Sequence, residues 1–571
     1  MTRYQIERFS FDQAAVSMWS ASEAKASNWP VVYTLDDNKE VYVGESLNGV
    51  SRMRQHLQTT QKQHLQQVQV VIDETFNKSV CLDLESFLIR MFAGDGKFAV
   101  LNKNIGITDA QYFNRDDYQT TFEGLFEELR RNGYFTRSLP EILNSDLFKL
   151  SPFKALTTDQ AIAVEDILEG LFDDLESNKK STIVVQGDPG TGKTILAIYL
   201  IKLLSDIQNS APFDDYEPDS IYSDFFADGF RELLTDFRIG FVIPQQSLRS
   251  SVSAVFAKTP GLDPEWILTP FEVGEAKQDF DLLIVDEAHR LNQLSAQSMG
   301  TLTKKFREIN ERLFGEAGRT SNQLDWIRAK SRHQIFLFDV AQTVRPSDLP
   351  RQTLETLQTK TKAESRFYPL TTQMRVKAGS DYVGFVKQLL TGDVLESKDF
   401  GEYDFRFFDD FDEMYAAVQN REQEVGLSRL LAGYAWKWQS RKDRSKFDIE
   451  LGQHKLRWNI STTDWINSSN PTEEVGSIHT IQGYDLNYAG VIIGGDLRLD
   501  TLTGKTVFDR SSYFDARGKS NNNILEIKYD DSDLLEYVRN IYSVLLTRGI
   551  LGTYVYVVDE ALRSKFQDLF N

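Results

Sequence analysis

Cysteine is nearly absent: of 571 residues, only Cys81 carries a thiol. A single thiol excludes a disulfide framework and a cysteine-rich zinc site, and it fits a reducing compartment. No run of about 18 apolar residues occurs, so no membrane-spanning helix is expected. The opening stretch, MTRYQIERFSFDQ, lacks the apolar core of a secretory signal. These absences together predict a cytoplasmic protein. Positive charge is also in deficit, with 64 lysines and arginines against 84 aspartates and glutamates and a net charge of −20. A chain this acidic binds nucleic acid only through local basic patches. Internal repeats and low-complexity tracts are missing as well. What remains is a globular composition, 41% hydrophobic and 12% aromatic. At this length one core does not suffice, and three or four domains are expected.

The most informative stretch present is Gly187-Asp188-Pro189-Gly190-Thr191-Gly192-Lys193-Thr194. A β-branched run precedes it at 181–185 and an apolar helical run follows at 195–201. Strand, Gly-rich turn and helix are the context a P-loop requires. The glycines let backbone amides close around phosphate oxygens, and the helix N-terminus adds positive potential. Lys193 can reach the β- and γ-phosphates of ATP, and the Thr194 hydroxyl can ligate magnesium. A second Gly504-Lys505-Thr506 does not qualify, because Leu499 stands where the first glycine belongs. Downstream, the apolar run 282–285 ends in Asp286-Glu287-Ala288-His289. A carboxylate there can hold the magnesium, assigned to Asp286, and its neighbour can polarise the attacking water, assigned to Glu287.

Residues 1–28 are polar and mixed, a leader or an edge element. Residues 29–110 alternate short strands and helices around an Asp36-Asp37-Asn38 turn, which predicts a hairpin. Residues 111–150 are mostly charged helix and are taken as a connector. From 151 to 365, short apolar strands are expected at 182–185, 239–243, 282–285 and 335–338, as in a parallel sheet covered on both faces. An acidic, aromatic stretch around 213–219 is expected as an insertion. A second α/β unit is expected over 366–571, with strands at 490–493 and 554–558.

Further motifs follow in order. They are Leu156-Thr157-Thr158-Asp159-Gln160, Phe241-Val242-Ile243-Pro244-Gln245, Phe338-Asp339-Val340-Ala341-Gln342, Gln373-Met374-Arg375, Ile478-His479-Thr480-Ile481-Gln482-Gly483 and Leu546-Thr547-Arg548-Gly549. The series resembles a superfamily 1 helicase. The DEAH letters suggest superfamily 2, but the last motif lacks a glutamine with paired arginines. Within superfamily 1 the chain resembles the Schlafen group 3-like helicase domain over roughly 150–560, through Asp286-Glu287-Ala288-His289-Arg290, the stretch 338–345, Gln373-Met374-Arg375, Ala432-Gly433-Tyr434-Ala435-Trp436 and Leu546-Thr547-Arg548-Gly549. The resemblance implies two RecA-like lobes. It also implies that Gln160 reads adenine, that Gln342 senses the γ-phosphate, and that Arg375 and Arg548 face that phosphate from the second lobe. Such charge is what phosphoryl transfer needs.

Trp436, Lys437, Trp438 and Arg441 open a stretch that interleaves aromatics with bases. From 437 to 457 the net charge is +4. Aromatics that stack on bases and cations that track phosphates make this a candidate nucleic-acid surface. Two core tryptophans beside a solvated loop explain the pattern equally well.

Near the N-terminus, Val31-Val32-Tyr33 and Tyr42-Val43-Gly44 are followed by Arg52 and His56, four apart on one helical face, then by Glu85 in a second helix and Asn102. This series resembles the GIY-YIG nuclease family. There the tyrosines, the arginine and the histidine surround a scissile phosphate, a glutamate binds one divalent metal, and an asparagine closes the site. Val31 and Val32 replace the usual glycine and isoleucine. The implied chemistry suits the residues: Arg52 neutralises a phosphate, Glu85 holds magnesium or manganese, and a tyrosine or the histidine orients or deprotonates water. Arg54, Lys62 and His64 add charge nearby, or simply line a solvated helix face.

The expected protein is therefore α/β, a small GIY-YIG module followed by two parallel-sheet lobes. Its expected function is an ATP-dependent DNA helicase or translocase coupled to a metal-dependent endonuclease, in defence against foreign DNA. The rivals are a nucleic-acid-binding ATPase and a repair helicase whose N-terminal domain binds without cutting. A protein partner or a second copy of the chain stays open.

Overall fold

In the computed structural model, residues 4–59, 61–103, 112–210, 222–296, 300–373, 380–394, 396–460, 465, 473–481 and 484–569 are described. The chain divides into two compact units. One comprises Met1–Ser177, Thr194–Phe237 and Ser251–Glu265; the other comprises Asn178–Lys193, Arg238–Ser250 and Trp266–Asn571. Among the described residues no helix is long and apolar enough to cross a membrane.

The first unit is built on five strands, β1 (Tyr4–Ser10), β2 (Val31–Asp36), β3 (Glu40–Ser46), β4 (Gln67–Asp73) and β5 (Ala99–Val100), in the order β1-β4-β2-β3-β5. All neighbours are antiparallel except β3 and β5. The hairpin at 37–39 forms as expected. The Asp37 carboxylate accepts the amides of Lys39 and Glu40, and Asn38 takes the left-handed φ of 70° that asparagine tolerates. Side chains alternate between two cores. Val31, Tyr33, Leu35 and Tyr42 pack with Val50 and Met53 of the helix Gly49–Gln58. Val32, Val41 and Val43 pack with Val80, Leu84, Leu88 and Phe92 of the helix Lys78–Asp95.

Of the two alternatives for residues 1–28, the edge element is the one seen: β1 is the edge strand, and the helix Gln13–Ser22 sends Val16 and Trp19 into the core beneath it. One expectation changes here, because residues 111–150 are not a mere connector. The helix Arg115–Arg131 sends Phe122, Leu125, Phe126 and Leu129 into the core shared with Phe92. The stretch 213–219 lies outside the described residues.

Among the described residues the second unit holds two large sheets and one two-stranded sheet. The first contains β6 (Ser181–Gly187), β7 (Ile239–Val242), β8 (Ile267–Leu268), β9 (Phe280–Val285), β10 (Ser331–Phe338) and β11 (Phe367–Leu370). It is parallel throughout, in the order β11-β6-β10-β9-β7-β8. All four strands expected from the apolar runs are present. The sheet extends past the expected boundary at 365, because β11 pairs with β6. The second sheet contains β12 (Asp404–Phe408), β13 (Ser428–Ala432), β14 (Ile449–Leu451), β15 (His454–Trp458), β16 (Glu474–Gly476), β17 (Leu486–Ile493) and, after the small hairpin of β18 (Leu497–Leu499) and β19 (Thr506–Phe508), β20 (Gly549–Val557). Its order is β12-β20-β17-β13-β16-β15-β14, and only β14 and β15 run antiparallel. The second Gly-Lys-Thr falls in the β18–β19 hairpin and runs straight into the strand β19 instead of a helix, so it is not a phosphate loop.

Candidate active sites

β6 ends at Gly187, and the helix Lys193–Gln208 begins after five intervening residues, with Thr194 in its first turn. The loop between them needs its glycines. Gly190 and Gly192 have φ of 88° and 76°, where a side chain is strained. A Cβ on Gly187 would lie 2.2 Å from Thr191 Oγ1. Lys193 Nζ donates to the carbonyls of Gly187 (2.6 Å) and Asp188 (3.2 Å), which folds the ammonium over the loop. Asp188 itself is paired by Lys387 at 2.8 Å, and Gln373 donates to the Pro189 carbonyl at 2.7 Å. Neither contact was anticipated from the sequence. Arg375, two residues beyond Gln373, lies outside the described residues, as do Gln482 and Gly483.

Asp286 follows β9 directly and is fully buried; its Oδ1 accepts the Glu287 amide at 2.9 Å. Glu287 has φ of 49°, an unfavourable conformation for a glutamate that strand and turn together impose. Its Oε2 lies 2.9 Å from His289 Nε2, off the hydrogen-bonding axis. The Asp339 amide donates to His289 Nδ1 at 3.4 Å. Burial pushes the Glu287 carboxyl up. His289, Lys193 and Arg548 outweigh it and hold the group well below the usual carboxylate range. Three motifs distant in sequence therefore share one electrostatic field around an ionised Glu287. Gln342 is buried on the turn after β10 and donates to Asp339 Oδ2 at 3.1 Å. Arg548, 2% exposed, donates to the Tyr484 carbonyl at 3.2 Å. In the first unit, Gln160 closes a capping box with Thr157, its Oε1 accepting the Thr157 amide at 3.0 Å.

The N-terminal candidates also gather. Tyr33 lies opposite Gly44, and Tyr42 opposite Leu35, so the two tyrosines are diagonal neighbours on one face, with ring centroids 6.3 Å apart. His56 projects from the helix Gly49–Gln58, with its Nε2 2.7 Å from the Tyr33 hydroxyl. Arg52, one turn earlier, and Glu85 both lie within electrostatic reach of that hydroxyl. Burial pushes the Tyr33 phenol well above its ordinary range. Gly44 is required by contact: a Cβ there would meet the Tyr33 hydroxyl at 2.5 Å. Asn102 is spent on the backbone, accepting the Val43 amide (3.0 Å) and donating to the Val43 carbonyl (2.7 Å). It thereby fastens the chain after β5 to β3.

Glu85, 7% exposed, is a hard-oxygen donor of the kind magnesium takes, and magnesium keeps several waters of its own. Among the described residues, one group of three carboxylates and imidazoles is close enough to share a cation, namely Asp37, Glu40 and His64. That group sits at the β2–β3 turn and does not include Glu85. Lys62 was expected only as added charge nearby or as part of a solvated helix face. It is 8% exposed, with Nζ 3.2 Å from His56 Nδ1 and 3.6 Å from the Tyr42 ring centre.

A family model described as Schlafen group 3, DNA/RNA helicase domain, matches residues 180–559. The chain belongs to this family. It is also similar to an uncharacterized protein of Saccharomyces cerevisiae, YPL245W, at 26% identity over 465 residues, spanning 75% of this chain and 93% of the yeast protein. Among solved structures, a Pif1 helicase from Bacteroides in complex with ADP-AlF3 and ssDNA aligns with 71% of this chain and 96% of its own, at 10% identity and a TM-score of 0.23.

In this Schlafen group 3 chain the aromatic–basic stretch divides between core and surface. Trp436 and Trp438 are half-buried against the second sheet's core, Trp438 meeting Trp458 edge-on at 5.7 Å. Lys437 and Arg441 are exposed, and Arg441 lies over the Trp438 ring at 5.2 Å. Asp448 organises the exposed loop between them and β14, accepting the amides of Gln439 (2.6 Å) and Ser440 (2.8 Å).

Proposed function

We propose that the chain is an ATP-hydrolysing superfamily 1 motor that moves along nucleic acid, DNA rather than RNA, and that its N-terminal module is a GIY-YIG endonuclease that cuts it. The observation that carries the motor reading is the phosphate loop after β6, with Gly190 and Gly192 at positive φ and Lys193 Nζ folded over the Gly187 and Asp188 carbonyls. Lys193 and Arg548 place positive charge where a γ-phosphate gathers negative charge, and ionised Glu287 orients water for in-line attack. Asp286 and Thr194 are the residues assigned to magnesium, which supplies further charge on the phosphate oxygens when bound. Gln160 is assigned to adenine, Gln342 to the γ-phosphate and Arg375 to the same phosphate, each from its motif. Lys437 and Arg441, with the faces of Trp436 and Trp438, are assigned to the nucleic-acid track.

The nuclease reading rests on the convergence of Tyr33, Arg52 and His56, with Tyr42 and Glu85 beside them. Arg52 offers a cation to a phosphodiester and Glu85 a ligand to magnesium or manganese. A role in defence against foreign DNA follows from joining a motor to a cutting module, an argument from architecture.

The deciding experiment incubates the full chain with circular and linear, single- and double-stranded DNA and RNA, with and without ATP and magnesium. Lys193→Ala is expected to abolish ATP turnover; persisting turnover would sink the motor site. Glu85→Ala is expected to abolish nicking while ATP turnover continues. Binding or unwinding without nicking at any metal concentration favours a repair helicase or a nucleic-acid-binding switch.

A further inference from the structure

The environment of His56 is more restrictive than a surface helix position suggests. Its two ring nitrogens face different partners, Nδ1 toward Lys62 Nζ at 3.2 Å and Nε2 toward the Tyr33 hydroxyl at 2.7 Å. Lys62 is delivered by a tight turn after the helix, where the Lys62 amide donates to the Thr59 carbonyl (3.0 Å) and the Leu65 amide to the Lys62 carbonyl (3.1 Å). The ammonium is nearly buried and packs against the Tyr42 ring face, a favourable cation–π geometry.

An ammonium has only protons to give. His56 Nδ1 must therefore accept, and a neutral imidazole that accepts at Nδ1 carries its proton on Nε2. That proton points at Tyr33 Oη, which becomes the acceptor. Burial, together with the charges of Lys62 and Arg52, holds the His56 pKa down at about 2, so the ring stays neutral.

We propose that Lys62 is a positioning residue that fixes His56 as the Nε2–H tautomer, a donor to Tyr33 and not the base that deprotonates water. With the Nδ1 lone pair given to Lys62 and the Nε2 proton given to Tyr33, His56 can take a proton only by giving up the contact to Lys62. The catalytic clause rests on the nuclease reading; the tautomer clause does not.

The test uses the full chain labelled with 15N-histidine. Long-range nitrogen–proton correlations report which ring nitrogen is protonated, and the His56 signals among the six histidines are those lost in His56→Gln. The wild-type protein is expected to carry the proton on Nε2. Lys62→Met is expected to shift the ring toward a mixture of tautomers, and Lys62→Arg to preserve the wild-type pattern. A proton on Nδ1 in the wild-type protein overturns the proposal without any variant having to fold, and an unchanged pattern in folded Lys62→Met overturns it too. In the cleavage assay, Lys62→Met is expected to lower turnover roughly ten- to a hundred-fold with KM little changed, and Lys62→Arg to restore most of it. If the wild-type chain does not cleave, the nuclease reading fails, and the spectra still decide the role of Lys62.

Discussion

Gly44→Ala is the sharpest mechanical probe of the tyrosine cluster. The new methyl would sit 2.5 Å from the Tyr33 hydroxyl, 2.6 Å from its Cζ and 3.0 Å from Tyr42 Cε1. Backbone strain plays no part, since the Gly44 φ lies outside the left-handed region. The cost is therefore steric. Tyr33 is fully buried, so it cannot swing into water without taking β2 with it. Overpacking of this kind costs about 1–3 kcal/mol. Losing the hydrogen bond between the Tyr33 hydroxyl and His56 adds about 1 kcal/mol. The expected destabilisation is thus about 2–4 kcal/mol, read as the local opening free energy of β2 and β3 amides by hydrogen exchange. The control is the same substitution in a Tyr33→Ala background. The clashing atoms are absent there, so Gly44→Ala should be nearly neutral, giving a coupling of about 2 kcal/mol or more. Equal losses in the two backgrounds would refute the argument that Gly44 is small because of Tyr33.

Two further outcomes follow from the second unit. Arg345 Nη2 donates to the Tyr434 hydroxyl at 3.2 Å and pairs with Asp515 at 3.5 Å. Arg345→Ala should destabilise this unit by about 2 kcal/mol, less than the loss of a fully buried pair because 30% of the Arg345 side chain is exposed; a thermal shift equal to that of a surface arginine variant would count against it. Asp496 is fully buried, and burial pushes its pKa up from 3.8 to about 7, against the lowering effect of the Tyr542 hydroxyl bonded at 2.6 Å. A raised acid pKa gives stability that is full below pH 3.8 and lost as the pH rises through about 7. Asp496→Asn should therefore flatten thermal stability between about pH 4 and pH 7, and an unchanged slope in the variant would show that other groups set it.

The phosphate loop and the strands beside it were legible because their signals are local. A β-branched run, a glycine turn and a helix must be contiguous to bind phosphate at all, and β6, β9 and β10 lie where their apolar runs stand. The N-terminal unit was legible only in part. The hairpin declares itself through Asp37 and Asn38, but β1 is an edge strand whose YQIERFS pattern is only half apolar. In the helix Arg115–Arg131, the spacing of Phe122, Leu125, Phe126 and Leu129 reveals a stripe without saying which core receives it. The buried setting of Lys62 was hidden for a related reason. A lysine is almost always solvated, and only the fold brings the Tyr42 ring and His56 Nδ1 to its ammonium. The contact of Gln373 with Pro189 was hidden because it depends on β11 joining the first sheet, not the second.

That last arrangement sets a leash. β11 ends at Leu370 beside Gly187, and Gln373 already touches the P-loop at Pro189. Three residues of extended chain reach about 10 Å. The chain that leaves the first sheet is thus held at the rim of the phosphate loop within three residues of the end of β11. A rearrangement of the phosphate loop at Pro189 therefore acts on Gln373 directly, three residues from the end of β11.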